Sequence, residues 1–448
     1  MTFTPSQLNS QQHFLIVGFG VTGQAVARFL SSKNTHYSII DDKNLSGGLW
    51  LNGEKLQTET GAAVETKFTA AIVSPGIPPE HAALLWCQKN QIPLIGETEL
   101  AAHFLTGKLI GVTGTNGKST TVKLIDALLT GAGISTGLKG NIGDPLITAV
   151  SEPAKDWYVI EESSYQTEQI QSMHHRIAVC LNVTDDHFDR YPNLATYAAA
   201  KAKILSNMTE ADTFIFNADD PSCLKMSWTT SAQKYPYSLV NQAPLGAFVR
   251  GYDLILNLQG QEINFPLSEC ALKGLHNFEN MMAALLTVCQ IKSDTAAIAA
   301  YRSVLRTFKG LPHRVEKIHE ENGVTYYDDS KGTNVGSVVM ALASFSGNVL
   351  LIAGGKDKLG DYAPLKGLVQ NKVKTLILLG EAKERMHAAL GDQTHTVLVS
   401  DMREAVSLAK CHAKPGDTVL LSPACSSFDQ YLNYHERGLD FQRWAKES

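Results

Sequence analysis

The sequence predicts an α/β protein of parallel sheets with helices packed on both sides. Short runs rich in Val, Ile and Leu, such as "FLIV", "LIGV" and "VLLIA", alternate with helical stretches almost throughout the 448 residues. Two of these runs lead directly into glycine-rich turns of the kind that bind phosphate groups. The series of strands and helices restarts twice, which places domains at 1–97, 98–310 and 311–448. Three domains suit this length, because single cores stop growing at roughly 250–300 residues.

The composition excludes several classes of protein. Hydrophobic residues make up 44% and charged residues 19% of the chain, so each domain can bury a core. The formal net charge of −5 argues against nucleic-acid binding. No apolar run approaches the ~18–20 residues that span a bilayer, and the N-terminus lacks the pattern of a secretory signal. Seven cysteines without a C-x-x-C pair suit free thiols. We therefore expect a cytoplasmic protein with no membrane or nucleic-acid partner.

The first glycine-rich turn lies near the N-terminus. "HFLIVGFG" predicts a strand and a tight turn, "QAVARFLSSK" a helix, and "YSIIDD" and "AAIVSPGIPP" two more strands. Gly18, Gly20 and Gly23 form G-x-G-x-x-G, and Asp41 and Asp42 end the next strand. Such glycines admit a pyrophosphate, and the acid can bind a ribose hydroxyl. A nicotinamide cofactor, another nucleotide and a merely tight turn all remain open. The segment is short for the full six-stranded dinucleotide fold, which disfavours the nicotinamide.

A second glycine-rich loop, "GVTGTNGKST", opens the middle domain. Gly114 and Gly117 precede Lys118 and Ser119, between the strand "KLIGV" and the helix "STTVKLIDALL". The glycines let backbone N–H groups converge on phosphate oxygens, the lysine can neutralise terminal phosphate charge, and the serine can reach Mg²⁺. The general G-x-x-x-x-G-K-[ST] pattern is not met, because Val112 lies six residues before the lysine. An ordinary turn is the alternative, but the Lys–Ser pair favours a loop that binds a triphosphate.

Acidic side chains follow neighbouring strands of the middle domain, where open α/β sheets place their ligands. "VIEESS" and "NVTDDHFDRYP" supply Glu161, Glu162, Asp185, Asp186, His187 and Asp189. Glu161 is expected to be an oxygen ligand for Mg²⁺, with solvated loop acids as the alternative. On pattern alone, His187 is an ordinary histidine and Lys201 a lysine on a helix surface. The alternation in "AFVRGYDLILNLQGQEINFPL" predicts antiparallel strands.

Three polar loops end apolar strands of the last domain. They are "DDSKGTN", "GGKDK" and "LSPACSSFDQY". Their Lys, Ser and Thr side chains suit a small anionic substrate, with capping and turn chemistry as the alternative. Cys425 has no paired base in the pattern and is expected to be a packed residue.

In combination, these segments resemble the Mur ligase family. "TGTNGKST", "GNIG", "EESSYQ", "NVTDDHFDRYP", "AAAKAKI", "GLHNFEN", "GLPHRVE", "DDSKGTNVGS" and "LLSPACSSFDQY" occur in the order found in that family. The resemblance implies a Rossmann-like N-terminal domain, a central P-loop ATPase-type α/β domain and a Rossmann-like C-terminal domain. It further implies an ATP-dependent ligase that adds D-glutamate to UDP-N-acetylmuramoyl-L-alanine through an acyl phosphate, in peptidoglycan precursor synthesis. The first loop would then hold UDP and the second ATP, and a monomer is expected.

The resemblance also implies roles for individual residues. ATP is expected to bind Thr115, Asn116, Gly117, Lys118, Ser119, Thr120, Thr121, Asn277, Asn280, Arg314 and Asp329. The UDP substrate is expected to bind Gly18, Gly20, Val21, Thr22, Asp42, Lys43, Gly76, Asn141 and His187. The amino acid is expected to bind Lys331, Thr333, Lys358, Ser427 and Tyr434.

Catalytic and metal-binding residues follow from the same resemblance. Lys118, His187 and Lys201 are the expected catalytic residues. One Mg²⁺ would be held by Ser119 and Glu161, and a second by His187 and Lys201, with Lys201 carbamylated so that it offers oxygen ligands.

The chain departs from the family pattern in two places, and three rival functions stay open. Asp42 and Lys43 replace a Thr-Arg pair near the uracil, and Tyr434 replaces a phenylalanine. The nearest rival is a ligase of the same superfamily that adds another amino acid or acts on folate, although the first loop and "SPACSSFDQY" disfavour folate. The others are a nicotinamide-dependent oxidoreductase and a nucleotide-switched regulator without catalysis.

Overall fold

The computed structural model describes most of the chain. The described residues are 8–41, 49–51, 54–56, 67–188, 190–242, 244–258, 260–357 and 360–447. Three of the predicted ligand contacts, Asp42, Lys43 and Lys358, lie outside them, as does the acid Asp189.

The first sheet is mainly parallel. Its described strands are β1 (His13–Val17), β2 (His36–Ile40), β3 (Leu49–Leu51), β4 (Glu54–Leu56), β5 (Ala70–Val73) and β6 (Leu94–Gly96), in the order β4-β3-β2-β1-β5-β6. Of these, β2, β1, β5 and β6 are parallel, whereas β3 pairs antiparallel with both of its neighbours. The helices are α1 (Val21–Ser32), α2 (Ala82–Lys89) and α3 (Glu97–Ala102). This arrangement confirms a Rossmann-like sheet with fewer parallel strands than the full dinucleotide fold.

Strand β1 shows why this sheet needs helices on both faces. Phe14 and Ile16 pack into one apolar cluster, and Leu15 and Val17 pack into another. Alternate side chains of a strand point to opposite faces, so a continuous apolar run must be covered on both sides.

The second sheet combines parallel strands with an antiparallel edge. Its described strands are β7 (Lys108–Thr113), β8 (Thr136–Gly140), β9 (Trp157–Glu161), β10 (Ile177–Cys180), β11 (Thr213–Asn217), β12 (Gln233–Ser238), β13 (Gly246–Arg250), β14 (Asp253–Leu258) and β15 (Gln261–Pro266). The order is β15-β14-β13-β12-β11-β10-β7-β9-β8. The pairs β13–β14 and β14–β15 are antiparallel, as the alternation of their sequence predicts. The helices are α4 (Lys118–Gly131), α5 (Ser164–Thr167), α6 (Leu194–Ala202), α7 (Pro221–Ser227), α8 (Leu275–Cys289) and α9 (Thr295–Thr307).

The third sheet is mainly parallel and has six described strands. They are β16 (Glu316–Glu321), β17 (Val324–Asp328), β18 (Val349–Gly354), β19 (Val373–Leu379), β20 (His395–Leu398) and β21 (Thr418–Leu421), in the order β16-β17-β21-β18-β19-β20. Only β16, an edge strand antiparallel to β17, departs from the parallel pattern among the described pairs. Its sequence, "EKIHEE", is polar and partly exposed, so no apolar run marks it. The helices are α10 (Val335–Ala343), α11 (Lys366–Lys372), α12 (Lys383–Leu390), α13 (Met402–His412) and α14 (Tyr434–Lys446).

The chain divides into two compact units. The first contains Met1–Asn182, Tyr197–Glu269 and Glu279–Arg306, and the second contains Val183–Thr196, Cys270–Phe278 and Thr307–Ser448. The first two sheets therefore belong to one unit and the third sheet to the other. The domain limits predicted from the sequence remain predictions. No helix in the described part of the chain has the length and apolar character needed to cross a membrane.

Helix α3 joins the first two sheets within the first unit. Glu97 Oε1 accepts a hydrogen bond from the backbone N–H of Ile147 at 2.5 Å. The Glu99 carboxylate accepts the backbone N–H groups of Gln171, Ser172 and Met173 at 2.8–3.0 Å. Phe14 of the first sheet and Tyr158 of the second share one apolar cluster. The two sheets are thus fixed together by a common core and by buried carboxylates.

Candidate functional site

The first glycine-rich loop is a tight turn that leaves no room for a side chain at Gly18 or Gly23. Gly18 has φ 90°, and its carbonyl accepts a hydrogen bond from Ser74 Oγ at 3.0 Å. A Cβ placed on Gly23 would lie 2.0 Å from Gly18 O. Gly20 is the N-cap of α1, and it has no side chain to hydrogen-bond the first N–H groups of the helix. The structure therefore provides the bare helix N-terminus that G-x-G-x-x-G predicts.

An acid and a neighbouring turn complete this region. Asp41 Oδ2 accepts a hydrogen bond from the backbone N–H of Phe19 at 2.5 Å. Through Ser74, the turn that contains Gly76 lies beside the loop. The predicted contacts Val21 and Thr22 form the first turn of α1, where the Val21 side chain is 70% exposed. The loop therefore carries a carboxylate at its edge, and its sequence, "GFGVTG", contains no cationic residue.

The second loop places a lysine and a buried serine at the start of α4. Lys118 Nζ donates hydrogen bonds to the carbonyls of Gly114 (2.8 Å) and Thr115 (2.9 Å), so the ammonium lies over the loop. Gly117 is in the left-handed region with φ 87°, which glycine adopts without strain. Ser119 is 3% exposed.

Two asparagines from neighbouring segments fix the conformation of the second loop. Asn182, just after β10, accepts the N–H of Asn116 through Oδ1 (2.8 Å) and the N–H of Thr115 through its carbonyl (2.9 Å). Asn280 Oδ1 accepts a hydrogen bond from Thr121 at 3.2 Å. The structure thus brings Asn280 to the second loop, as predicted. Asn277, one turn earlier in α8, belongs to the second unit and donates to the carbonyl of Lys273.

Glu161 offers a buried carboxylate oxygen at the end of β9. Its Oε1 accepts a hydrogen bond from Asn141 Nδ2 at 2.7 Å. Its Oε2 is buried and has no hydrogen-bond partner among the described residues. A buried carboxylate oxygen without a partner is destabilising unless a cation coordinates it or a water donates a hydrogen bond to it. Since hard oxygen ligands are what Mg²⁺ prefers, the residues present fit such an ion.

The expectation that Lys201 lies on a helix surface is wrong. Lys201 is 1% exposed, and its Nζ donates to the carbonyl of Gly114 at 2.8 Å. The ammonium also lies 4.4 Å from the centroid of the Tyr197 ring. Tyr197 and Ala200 are buried with it, so this face of α6 packs inward. The fold therefore places a second lysine at the second loop.

His187 lies in the second unit, in a strained backbone conformation. Its φ is 56°, and its N–H donates to Asp186 Oδ1 at 2.9 Å. Asp186 Oδ2 in turn accepts a hydrogen bond from Asn334, the N-cap of α10, at 3.0 Å. The histidine is thus attached to the loop "DDSKGTN" of its own unit.

Asp329 lies at the carboxyl end of β17. Its Oδ2 accepts a hydrogen bond from Ser422 Oγ at 2.6 Å. Burial raises the pKa of Asp329 to about 7, although Ser422 and the charge of Arg314 act in the opposite direction. The structure therefore brings the predicted pair Arg314 and Asp329 together.

The predicted amino-acid contacts lie on two loops of the same unit. Lys331 Nζ lies 4.0 Å from the centroid of the Tyr434 ring, a cation–π contact. Ser427 is 2% exposed, and its carbonyl accepts the N–H groups of Gln430 and Tyr431. Thr333 lies two residues beyond Lys331, whose carbonyl accepts its N–H at 2.8 Å. Lysine, serine and threonine therefore line these strand ends, as the sequence predicts.

Arg437 joins the loop of Lys331 to the loop of Ser427, and no sequence motif indicates this role. The buried guanidinium donates to the carbonyls of Ser330 (2.9 Å), Cys425 (3.1 Å) and Ser426 (3.2 Å). Burial lowers the pKa of Arg437 to about 10. Cys425, 1% exposed, is packed, as expected. A single arginine in an amphipathic helix carries no pattern that would single it out.

His313 lies at the centre of another cluster that the motifs do not show. Its Nδ1 is 2.6 Å from Asp328 Oδ2, and its Nε2 is 2.7 Å from His435 Nδ1. Its backbone N–H donates to Glu316 Oε2 at 2.8 Å. His313, Glu316 and Asp328 are close enough to share an ion, but these hydrogen bonds already engage both ring nitrogens. The cluster therefore needs no metal.

The family comparisons match three successive parts of the chain. The family described as Mur ligase MurD-like, N-terminal domain matches residues 12–96. The Mur ligase middle domain matches 112–288, and the Mur ligase, glutamate ligase domain matches 313–425. The UDP-N-acetylmuramoylalanine–D-glutamate ligase of Geotalea uraniireducens is 44% identical over 437 residues, which is 96% of each chain. That of Geotalea daltonii is 43% identical over 437 residues, which is 95% of each chain.

The chain belongs to the Mur ligase family. The resemblance inferred from the motifs is therefore confirmed. Solved Mur ligases share the fold at lower identity. The UDP-N-acetylmuramate-alanine ligase MurC of Thermotoga maritima has a TM-score of 0.58 at 15% identity and covers 96% of this chain and 98% of its own. The MurF ligase of the same organism, in complex with ADP, has a TM-score of 0.59 at 14% identity and covers 99% and 96%.

Proposed function

We propose that this Mur ligase is an ATP-dependent enzyme that adds D-glutamate to UDP-N-acetylmuramoyl-L-alanine and releases ADP and phosphate, in peptidoglycan precursor synthesis. The observation that carries the proposal is the second loop, where Lys118, the buried Lys201 and the unpaired oxygen of Glu161 lie in one compact unit. Relatives at 41–44% identity over nearly the whole chain bear the name of this activity.

The second loop would bind the ATP phosphates. Its backbone N–H groups follow a strand and open α4, where the helix dipole favours anions. Lys118 would exchange its hydrogen bonds with the loop carbonyls for the terminal phosphate. Ser119 and Glu161 would hold Mg²⁺, which offsets negative charge on the phosphates when bound.

The chemistry needs an activated carboxyl group, because a carboxylate is a poor electrophile. Transfer of the γ-phosphoryl group to the L-alanine carboxylate gives an acyl phosphate and ADP. The amine of D-glutamate then attacks the acyl carbon, and phosphate leaves. Lys118 would stabilise charge on the moving phosphoryl group. The attacking amine must lose a proton, and His187 is one candidate to take it when no metal ion is bound there.

The two other substrates would occupy the first loop and the third sheet. The narrow turn around Gly18 and the free start of α1 suit the UDP pyrophosphate. Lys331 and the loop of Ser427, both fixed by Arg437, suit a dicarboxylic amino acid. Asn141 would contact the muramoyl-alanine part, next to Glu161.

Three finer parts of the proposal are a second Mg²⁺ at His187 and Lys201, carbamylation of Lys201, and a monomeric state. The burial of Lys201 supports the carbamate, since a buried ammonium is destabilised relative to a neutral amine that can react with CO₂. Labelling with ¹³C-bicarbonate should give a carbamate NMR signal that is missing in Lys201→Arg. Light scattering should give the mass of one chain.

The decisive experiment is the substrate dependence of ADP release. The purified protein should release ADP only when UDP-N-acetylmuramoyl-L-alanine and D-glutamate are both present, and L-glutamate and other amino acids should not replace D-glutamate. Product formation without adenine nucleotide would refute the proposal. Binding of a nicotinamide dinucleotide, without ligation, would favour the oxidoreductase alternative.

A further inference from the structure

A buried glutamate–histidine pair lies behind the second loop and has no part in the reaction as proposed. Glu162 and His175 are both fully buried, and His175 Nε2 lies 2.8 Å from Glu162 Oε2. Glu162 directly follows Glu161 at the end of β9, whereas His175 directly precedes the Arg176 that leads into β10. Two polar groups without access to water are costly to bury unless they interact, so their pairing calls for a physical reason.

The histidine connects this pair to the segment that carries Lys201. Its Nδ1 lies 3.1 Å from the carbonyl oxygen of Ile204, in the short 3₁₀ turn that follows α6. A carbonyl can only accept, so Nδ1 carries a proton. The other ring nitrogen, Nε2, lies 2.8 Å from Glu162 Oε2, an electrostatic contact between two buried atoms that have no aligned hydrogen bond among the described residues. The imidazole thus joins the end of β9 to the end of α6.

The glutamate is in turn attached to the strand that precedes the second loop. Its backbone N–H donates to the carbonyl of Val112 at 2.9 Å, and its carbonyl accepts a hydrogen bond from Thr113 Oγ1 at 3.0 Å. A Cβ placed on Gly111 would lie 2.6 Å from both Glu162 Oε2 and His175 Cδ2. Glycine at 111 therefore leaves the space that the pair occupies.

We propose that Glu162 and His175 are positioning residues that fix the spacing between Glu161 and Lys201. The path runs from Glu161 through Glu162 and His175 to the Ile204 carbonyl, three residues after Lys201. The proposal rests on the proposed function, since Glu161 is the Mg²⁺ ligand there. Because both side chains are fully buried behind the second loop, we expect their effect to be on how well the metal and the phosphates are held. Groups that orient metal ligands typically change affinity or activity by roughly 10–100-fold when they are replaced.

The test compares Glu162→Leu, His175→Leu and Gly111→Ala with the wild-type chain. Each should raise the Mg²⁺ concentration for half-maximal ADP release roughly tenfold, lower kcat, and leave the KM for D-glutamate within about twofold. Glu162→Gln should be nearly normal, because glutamine keeps the shape of the side chain and places a polar group within reach of His175 Nε2. A purely structural role would lower the unfolding temperature without this selective effect on Mg²⁺.

The matched control is His174→Leu. His174 is the neighbour of His175, but its Nε2 lies 2.8 Å from Asp212 Oδ2, in the residue directly before β11. It should leave the Mg²⁺ dependence unchanged. The proposal would be overturned if Glu162→Leu and His175→Leu fold and show a normal Mg²⁺ dependence. It would also be overturned if His174→Leu raised the Mg²⁺ requirement as much as they do. Should the Leu variants fail to fold, the two other variants decide. Gly111→Ala should still raise the Mg²⁺ requirement and Glu162→Gln should not, and a normal Mg²⁺ requirement in Gly111→Ala would overturn the proposal. An inactive wild-type chain would instead contradict the proposed function.

Discussion

The two glycine-rich loops use the same backbone design with opposite charge. Both follow a parallel strand and open a helix, at Val21 in one and at Lys118 in the other. The first is bordered by the carboxylate of Asp41, which hydrogen-bonds a loop N–H. The second carries the ammonium groups of Lys118 and Lys201 on the carbonyl of Gly114. A glycine turn alone therefore does not fix the charge of the site, which depends on the side chains around the turn.

The largest expected effect is at the cation of the second loop. Lys118→Ala should lower kcat for ADP release by roughly 10³-fold, because charge on the moving phosphoryl group loses its counter-charge. The matched control is Lys123→Ala, in the same helix, which should change kcat by less than about twofold. Full activity of Lys118→Ala in steady-state assays would show that the cationic side chain of the second loop is not needed for the reaction.

Gly23→Ala should damage the first loop selectively. The added Cβ would lie 2.0 Å from Gly18 O, so the turn must open. We expect the KM for the UDP substrate to rise roughly tenfold or more, with the KM for ATP nearly unchanged. Gly367→Ala, in α11, serves as a control for the substitution itself. An equal rise in both KM values would mean that the loops do not act separately.

Helix α3, which joins the sheets that carry the two loops, can be tested through Glu97. Burial raises the pKa of Glu97 to about 7, and the charge of Glu162 acts in the same direction, against the N–H of Ile147. The folded state thus holds the proton more tightly than the unfolded state, so this residue lowers stability as the pH rises from about 4.5 to 7. Glutamine does not titrate, so Glu97→Gln lacks this loss of stability. The free energy of unfolding of the variant, minus that of the wild type, should therefore rise by about 2 kcal/mol from pH 5 to pH 8.

Denaturant unfolding at the two pH values measures this difference. Glu99→Gln is the informative comparison, because hydrogen bonds from Ser172 and from backbone N–H groups outweigh burial and lower the pKa of Glu99. Its stabilising contribution is present above the unfolded pKa and is lost as the pH falls through the folded pKa. Glu99→Gln should therefore destabilise the chain at pH 8, opposite in sign to Glu97→Gln. The same sign in both variants would contradict this account of α3.

The smallest expected effect is at the acid of the first loop. Asp41→Ala removes one hydrogen bond to the N–H of Phe19, which is worth about 1 kcal/mol. The KM for the UDP substrate should change by roughly fivefold, and kcat should stay nearly constant. A large fall in kcat would show that the first loop takes part in phosphoryl transfer after all.

Much of the fold was predictable because its signals are local. The antiparallel edge of the second sheet follows from the alternation in "LILNLQGQEINF", and α4 follows from a glycine turn before an apolar stripe. The edge strand β16 was missed, because its polar residues give no apolar run. The acids of α3 were missed too, since their partners lie about fifty to seventy residues further along the chain.

The sequence by itself determined the α/β class, the positions of both glycine-rich loops and the family. Those features depend on residues that are close together in the chain, where backbone geometry and side-chain spacing are set. Only the tertiary structure decided that Lys201 is buried at Gly114, 87 residues before it, and that Arg437 holds Ser330, 107 residues before it. Such contacts form when distant segments pack into one core, and no local pattern records which buried polar group will meet which partner.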